Sequence, residues 1–339
     1  MKVTFFGTAA GQPSLKRNTT SIALTPEKDS SKWFMIDCGE ATIIQIMKSD
    51  LKLSNIHSIF ITHLHGDHVY GLPGVIASMS DTRDTPLYIY GPVGIAKFFK
   101  MFEHTAHTAH NFRIIIKELE EDYTDIVNIK FNSFDVRVES CSVKHSIDCL
   151  AYKFTSERTT HKINMSILKP LIDENFEEIK ALGYNPPQKI IKKITTDIDF
   201  EFTIGNEQYY SRNFINYEEP KKLVIAMDNY NCSNIFKYFV SCNTLIHEST
   251  YNIFDTHSES ESKMIEKKAL AHGHSTNLMA VKNAMGMSAR KLILTHFSNR
   301  YEFDGYEMKD EDKIYRGCKK IGFSFGEILF AYDFKSFEI

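Results

Sequence analysis

The chain has 339 residues, is 42% hydrophobic and 24% charged, and carries a net charge of -3 with a pI near 6.5. That is enough apolar material for a sizeable core, in one large domain or two smaller ones, while the near-neutral balance excludes a globally basic nucleic-acid binder and confines any RNA contact to local patches. No stretch approaches the ~18 apolar residues of a membrane span, the run Val3–Phe6 is too short for a secretory signal, and the six scattered cysteines, with no C-x-x-C pair, are expected as free thiols in a reducing cytoplasm.

Val3–Phe6 reads as a first strand, followed by a Gly/Pro-punctuated loop, Thr8 to Asn18, that carries Lys16 and Arg17. Ser21–Leu24 and Trp33–Ile36 read as a hairpin whose second strand ends in Asp37-Cys38-Gly39. An Asp there is an ordinary N-cap, or, beside a metal, a carboxylate that orients a ligand from behind. The apolar run Ile56–Ile61 reads as a buried strand and leads into Thr62-His63-Leu64-His65-Gly66-Asp67-His68. His63 and His65 are two apart, so an extended backbone points both to one side. Gly66 permits a tight turn, and Asp67 and His68 open a helix expected to run to Met79. Three imidazoles and a carboxylate within six residues are donors that zinc or manganese takes, and they sit at a strand's C-terminal end, where α/β sheets place their sites.

Leu87–Tyr90 is the next expected strand, and the helix after Val93 carries His104, His107 and His110. With no carboxylate among them, these read as a solvent-facing helix before they read as a second metal site. Strands are expected at Arg113–Ile116, Val127–Phe131 and Phe134–Val143, the last leading into His145. Thr155 to Glu219 is densely charged, with one expected helix, Glu174–Leu182, closed by Gly183, and a basic patch at Lys189, Lys192 and Lys193. It reads as an inserted arm. The strand pattern resumes with Leu223–Met227, which ends at Asp228, then a helix from Ser233 and a strand Thr244–Ile246 before His247-Glu248-Ser249-Thr250. His272-Gly273-His274-Ser275-Thr276 precedes a helix, Lys291–Leu294 ends at His296, and a last strand pair ends in Glu327–Phe334. The recurrence of strand followed by ligand in both halves is expected of two βα-rich halves packed sheet to sheet. The strand ends supply seven ligands, enough for two metals if Asp228 bridges. Two ions ~3.5–4 Å apart clamp the attacking and leaving oxygens of a phosphoryl-type displacement.

His63 to His68 resembles the H-x-H-x-D-H signature of the metallo-β-lactamase superfamily, which implies an α/β fold, the αββα sandwich, with metals at the sheet edge. Phe6-Gly7-Thr8 with Pro13 to Asn18, Asp37 to Thr42, His63 to Gly74, His247 to Thr250, His274 to Thr276, and Leu294 to Ser298 with Arg300-Tyr301 together resemble the ribonuclease Z family in its short form, nearly end to end. The His-Glu-x-Thr and His-Ser-Thr pair, with the Pro…Arg-Asn loop, is the most specific part.

The resemblance implies one domain over residues 1–339 with an exosite-like arm inserted at 155–219, a precursor-tRNA substrate, a homodimer, no membrane, and a cytoplasmic location. It implies two divalent ions, zinc first among them: one on His63, His65 and His145, the other on Asp67, His68 and His296, with Asp228 between them and Asp37 behind. The implied reaction is hydrolysis after the discriminator nucleotide, leaving a tRNA 3′-hydroxyl and a trailer 5′-phosphate. Asp67 orients or deprotonates the water, and His274, steadied by Glu248, protonates the leaving oxygen. Lys16, Arg17, Asn18 and Arg300 are implied tRNA contacts. The chain departs from the family pattern at Leu15, where a lysine is usual, at Asn229, where a threonine follows the bridging aspartate, and at Gln188, which follows Pro186-Pro187 in place of Gly-Pro. The competing expectations are a phosphodiesterase of the same superfamily acting on other nucleic-acid or small diester substrates, and a non-catalytic RNA-binding scaffold.

Overall fold

The computed structural model describes residues 1–27, 31–80, 82–107, 110–301, 303–304, 307–323 and 326–339. They fall into two compact units: 1–127, 138–154 and 221–339 form the first, and 128–137 with 155–220 the second. The second unit therefore takes in 128–137 as well as the expected inserted segment.

Two seven-stranded sheets are built from both halves of the chain. The first runs, from edge to edge, Ser336–Glu338, Lys2–Gly7, Ser21–Thr25, Trp33–Ile36, Ile56–Phe60, Leu87–Pro92 and Ile114–Leu119. The other runs Glu327–Phe330, Lys291–Thr295, Thr244–Glu248, Lys221–Ala226, Cys149–Arg158, Phe134–Val143 and Tyr123–Lys130. Helices cover one face of each. Ile46, Val75, Ile76, Ile95 and Phe99 pack on the first sheet, and Ile235, Phe239, Val281, Ala284 and Ile314 on the second. Between the sheets Phe34 and Phe60 meet Tyr152 and Phe154, with ring centroids 5.2–6.0 Å apart. Strands such as Trp33–Ile36 and Thr244–Glu248 are buried on both faces, which is why they read as continuous apolar runs rather than as alternation.

In each sheet four neighbouring strands are parallel: Trp33–Ile36 to Ile114–Leu119 in one, Lys221–Ala226 to Glu327–Phe330 in the other. In each sheet the C-terminal ends of these strands lie along one edge, with Asp37 and the His63–His68 segment on the first and Asp228, Glu248 and His296 on the second, and side-chain contacts such as Asp228 to His63 and His68 join the two sets. Register sets the finer placement, with Ala226 opposite His247 and Glu248 opposite Thr295.

Several elements differ from expectation. The helix expected from Asp67 to Met79 is two, Gly66–Val69 and Leu72–Met79. Pro73 can begin a helix but cannot continue one, and a Cβ on Gly71 would sit 2.0 Å from the Gly39 carbonyl oxygen. The closing strands do not pair with each other: Glu327–Phe330 lies parallel to Lys291–Thr295, while Ser336–Glu338 crosses to the other sheet, antiparallel to Lys2–Thr4. In the second unit, the single helix expected at Glu174–Leu182 is replaced by Met165–Glu174 and Phe176–Ala181, broken at Asn175, with Gln188–Thr196 beyond them. These three helices and the hairpin Glu201–Tyr210 bury Leu168, Ile172, Ile179, Ile190, Ile194 and Phe202 among themselves.

Candidate metal centre

The donor atoms of His63, His65, His145 and Asp228 lie within 4.8 Å of one another, and so do those of Asp67, His68 and His296. Asp228 is 2% exposed and touches both sets. Its Oδ2 is 3.7 Å from His63 Nε2 and 3.8 Å from His145 Nε2, and its Oδ1 is 3.4 Å from His68 Nε2 and 3.2 Å from His296 Nε2. Burial opposes its charge, but the surrounding imidazoles, His296 and His68 foremost, hold its pKa well below the usual carboxylate range. Asp67 is likewise held ionised: burial works against the charge, and His68 and His296 outweigh it.

The chemistry of the donors fits a divalent cation. His68 donates from Nδ1 to Asp37 Oδ2 at 2.8 Å, and His145 donates from Nδ1 to the Gly273 carbonyl at 2.7 Å. With those nitrogens protonated, Nε2 is the atom each ring turns inward; Asp228, Asp37 and Asp67 hold His68 protonated despite its burial, and an ion bound there would take the place of that inward proton. There His145 Nε2 stands 3.2 Å from His65 Nδ1, which is 3.1 Å from His63 Nε2, and His68 Nε2 stands 3.2 Å from His296 Nε2. Convergent lone pairs beside a buried carboxylate oxygen that accepts no hydrogen bond among the described residues are what zinc or manganese coordination calls for. The backbone is bent to reach this arrangement, since Asp37 and His296 both take positive φ, 57° in each case. Such outliers gather at functional sites. Gly273 has a specific reason to be glycine: its φ is 79°, and a Cβ would press to 2.9 Å from His145 Nδ1.

Beside this cluster, His274 Nδ1 sits 3.3 Å from both Glu248 oxygens. Glu248 is fully buried and also accepts from the backbone N–H of Asn229 at 2.6 Å. Burial disfavours a charged His274, yet the carboxylates of Glu248, Asp228 and Asp67 carry its pKa up to about 9. The raised value favours the imidazolium, whose Nδ1–H is directed at Glu248. Asn229, where the family pattern has threonine, spends its amide on the Met227 carbonyl at 2.7 Å.

The expected tRNA contacts are placed differently from one another. Lys16 and Arg300 are exposed, and Arg300 lies over the Tyr251 ring at 4.0 Å. Arg17 is 1% exposed and turned inward. It donates to Thr8 Oγ1 at 2.8 Å and to the Ala331 carbonyl at 2.9 Å, and lies over Phe297. Asn18 is tied to the Glu40 carbonyl through its amide and to Asp333 through its backbone N–H. The side chain of Arg17 thus holds the loop and does not reach its surface, a correction to the expectation that it grips phosphate. Deleting it leaves buried Asp333 without its nearest guanidinium charge. Arg17→Ala is expected to lower stability in denaturant unfolding, since it removes two buried hydrogen bonds worth about 1–3 kcal/mol each where a partner is left unsatisfied, whereas Lys16→Ala is expected to act chiefly on RNA binding. The loop also reaches the metal centre, because Gly11 N–H donates to Asp67 Oδ2 at 2.8 Å. The helix Ile95–Ala106 ends early, so of the three histidines expected on it only His104 lies within it; none of the three joins a ligand set among the described residues, and His110 bonds Glu103 and the Phe112 carbonyl.

The profile of the Anti-Pycsar protein Apyc1 family matches residues 1–169, which include His63 to His68 and His145 but none of the later site residues. Ribonuclease Z of Halalkalibacterium halodurans is 32% identical over 345 aligned positions, spanning 100% of this chain and 98% of that protein. Among solved structures, the short form of human tRNase Z superposes with a TM-score of 0.64 at 24% identity, covering 100% of this chain and 99% of that one. The metallo-β-lactamase fold protein YhfI of Bacillus subtilis superposes with a TM-score of 0.58 at 14% identity, covering 99% of both chains. The fold is thus that of the metallo-β-lactamases, and its full-length identity to curated relatives places the chain in the ribonuclease Z family.

Proposed function

We propose that the chain is a metal-dependent endoribonuclease that removes the 3′ trailer from precursor tRNA by hydrolysis after the discriminator nucleotide. The observation that carries this reading is the meeting, at strand ends of the two sheets, of two candidate ligand clusters that share Asp228 with a candidate proton donor, His274, poised on Glu248. His63, His65 and His145 would hold one ion and Asp67, His68 and His296 the other; zinc suits this nitrogen- and carboxylate-rich set. When bound, such ions neutralise phosphate charge and acidify water. Asp67 Oδ2, which the Gly11 N–H aims, would orient the attacking water or accept its proton. As the P–O3′ bond breaks, His274 gives its Nε2 proton to the leaving oxygen, so the tRNA ends in a 3′-hydroxyl and the trailer begins with a 5′-phosphate. Glu248 keeps that imidazole charged and its Nδ1–H directed away from the substrate.

The proposed assembly is a homodimer, and the proposed location the cytoplasm, which the six buried free cysteines support. No helix among the described residues is long and apolar enough to cross a membrane. In the second unit, the helix Gln188–Thr196 buries Ile190 and Ile194 and leaves Lys189, Lys192 and Lys193 outward, the last paired with Asp197 at 2.7 Å. This is the proposed tRNA-binding face. Replacing the three lysines by alanine is expected to weaken tRNA binding and to flatten the plot of log affinity against log salt by about 2. An unchanged slope places the exosite elsewhere.

The deciding experiment incubates purified protein with end-labelled precursor tRNA, with and without chelator, and maps the ends. A single chelator-sensitive cut after the discriminator is the expected result. Intact precursor alongside hydrolysis of a small phosphodiester favours the second reading, a phosphodiesterase for other substrates. Failure on both, with zinc or manganese supplied, removes both readings.

A further inference from the structure

Two threonines beside the ligands have the same construction around them. The Thr62 hydroxyl donates to Asp37, at 2.8 Å from Oδ2 and 3.0 Å from Oδ1, and the Thr62 backbone N–H donates to Oδ1 at 2.7 Å. A hydroxyl has one proton. With it engaged on the carboxylate, Thr62 Oγ1 can only accept from His63 Nδ1, 3.0 Å away. In the other half of the chain, the Thr250 hydroxyl donates to Glu248 Oε2 at 2.5 Å, nearer than the His296 carbonyl at 3.1 Å, and Oγ1 accepts from His296 Nδ1 at 2.9 Å. All these partners are buried, with Asp37, Thr62, His63 and Glu248 fully so and Thr250 4% exposed. Each carboxylate also reaches a second imidazole directly, Asp37 that of His68 and Glu248 that of His274.

We propose that Thr62 and Thr250 are paired positioning residues, each passing the charge of a buried carboxylate to one ligand imidazole, His63 in one cluster and His296 in the other. The inference rests on the reading of those clusters as ion sites. The hydroxyl fixes the proton on Nδ1, leaves the Nε2 lone pair facing Asp228, and raises the basicity of the ring. Outer hydrogen-bond partners of metal ligands are typically worth about 10–100-fold in metal affinity. Because the two relays serve different clusters, each variant has the other ion as its internal control.

The experiment loads the apo-protein with zinc by titration against a competing chelator, and with cadmium for metal NMR, without any RNA present. Wild type is expected to take two ions. Thr62→Val is expected to weaken one by about 10–100-fold, Thr250→Val the other by a similar factor, with a different cadmium resonance affected in each. Thr62→Ser and Thr250→Ser, which keep the hydroxyl, are expected to hold both ions as wild type does. Normal affinity at both sites in the valine variants overturns the proposal, and so does equal weakening of both ions by either variant, which marks a general loss of structure. If a valine variant does not fold, nitrogen NMR of the zinc-loaded wild type decides: a proton on Nδ1 of both His63 and His296 is required, and its absence from either overturns the assignment. Wild type that binds no ion at these residues refutes the metal reading itself. A wild type that binds two ions yet leaves precursor tRNA intact refutes only the proposed substrate.

Discussion

Asp228→Ala is expected to lower turnover of precursor tRNA by at least about a thousandfold, some 4 kcal/mol of transition-state stabilisation, and to reduce bound metal below that of the wild type. No other carboxylate among the described residues reaches both ligand clusters: its two oxygens lie 3.2–3.8 Å from His63, His68, His145 and His296. Without it, convergent imidazoles are left with Asp67 alone as an anionic ligand. Removing a buried charge that faces this many ring nitrogens also changes stability, so turnover must be compared at saturating metal with thermal unfolding measured in parallel. Asp228→Asn separates the effects, because it keeps the shape and loses the charge. Activity within tenfold of wild type in both variants, with metal content unchanged, removes Asp228 from the bridging position and leaves each cluster to act alone.

Much of this candidate centre is legible in the amino-acid sequence, because its candidate ligands follow apolar strands buried on both faces. Ile56–Ile61, Leu223–Met227 and Lys291–Leu294 are recognisable as strands from composition alone, and each ends on ligands. The features that are not legible depend on partners distant in the chain. Arg17 looks like a surface cation in a Gly/Pro loop. Its burial follows from Thr8 and from the Ala331 and Asp333 segment, more than three hundred residues later. Thr62 and Thr250 lie inside recognisable motifs, yet a hydroxyl has no evident task until Asp37 or Glu248 accepts its hydrogen bond. The helix Glu259–Ala271 is hidden for another reason. It buries only Ala269, so it lacks the apolar stripe that periodicity detects, although its capping box, Ser258 with Glu261, stands in the sequence. The crossing of the last strand to the opposite sheet is a matter of topology, which local pattern does not carry.

His274→Ala is expected to slow cleavage of precursor tRNA by about 10²–10⁴-fold, the usual contribution of a positioned general acid, while leaving hydrolysis of bis(p-nitrophenyl) phosphate within a few-fold of wild type. The two substrates differ in what their leaving groups need. A ribose 3′-oxygen departs as a strongly basic alkoxide unless a proton arrives with bond cleavage, whereas p-nitrophenolate is stable as an anion and gains little from an acid. Glu248→Gln is expected to fall between wild type and His274→Ala on precursor tRNA: the glutamine still meets His274 Nδ1 but no longer supplies the charge that chiefly holds the ring protonated against burial. The same pair of substrates tests a competing role. His274 Nδ1 lies 3.7 Å from Asp228 Oδ2, and its donor atom falls within 4.8 Å of those of Asp228 and His296, close enough to join the second cluster as a ligand. A ligand role predicts equal loss on both substrates together with lower metal content. Selective loss on the tRNA, with metal content intact, assigns His274 to proton transfer, because only a group acting on the leaving oxygen distinguishes the two diesters.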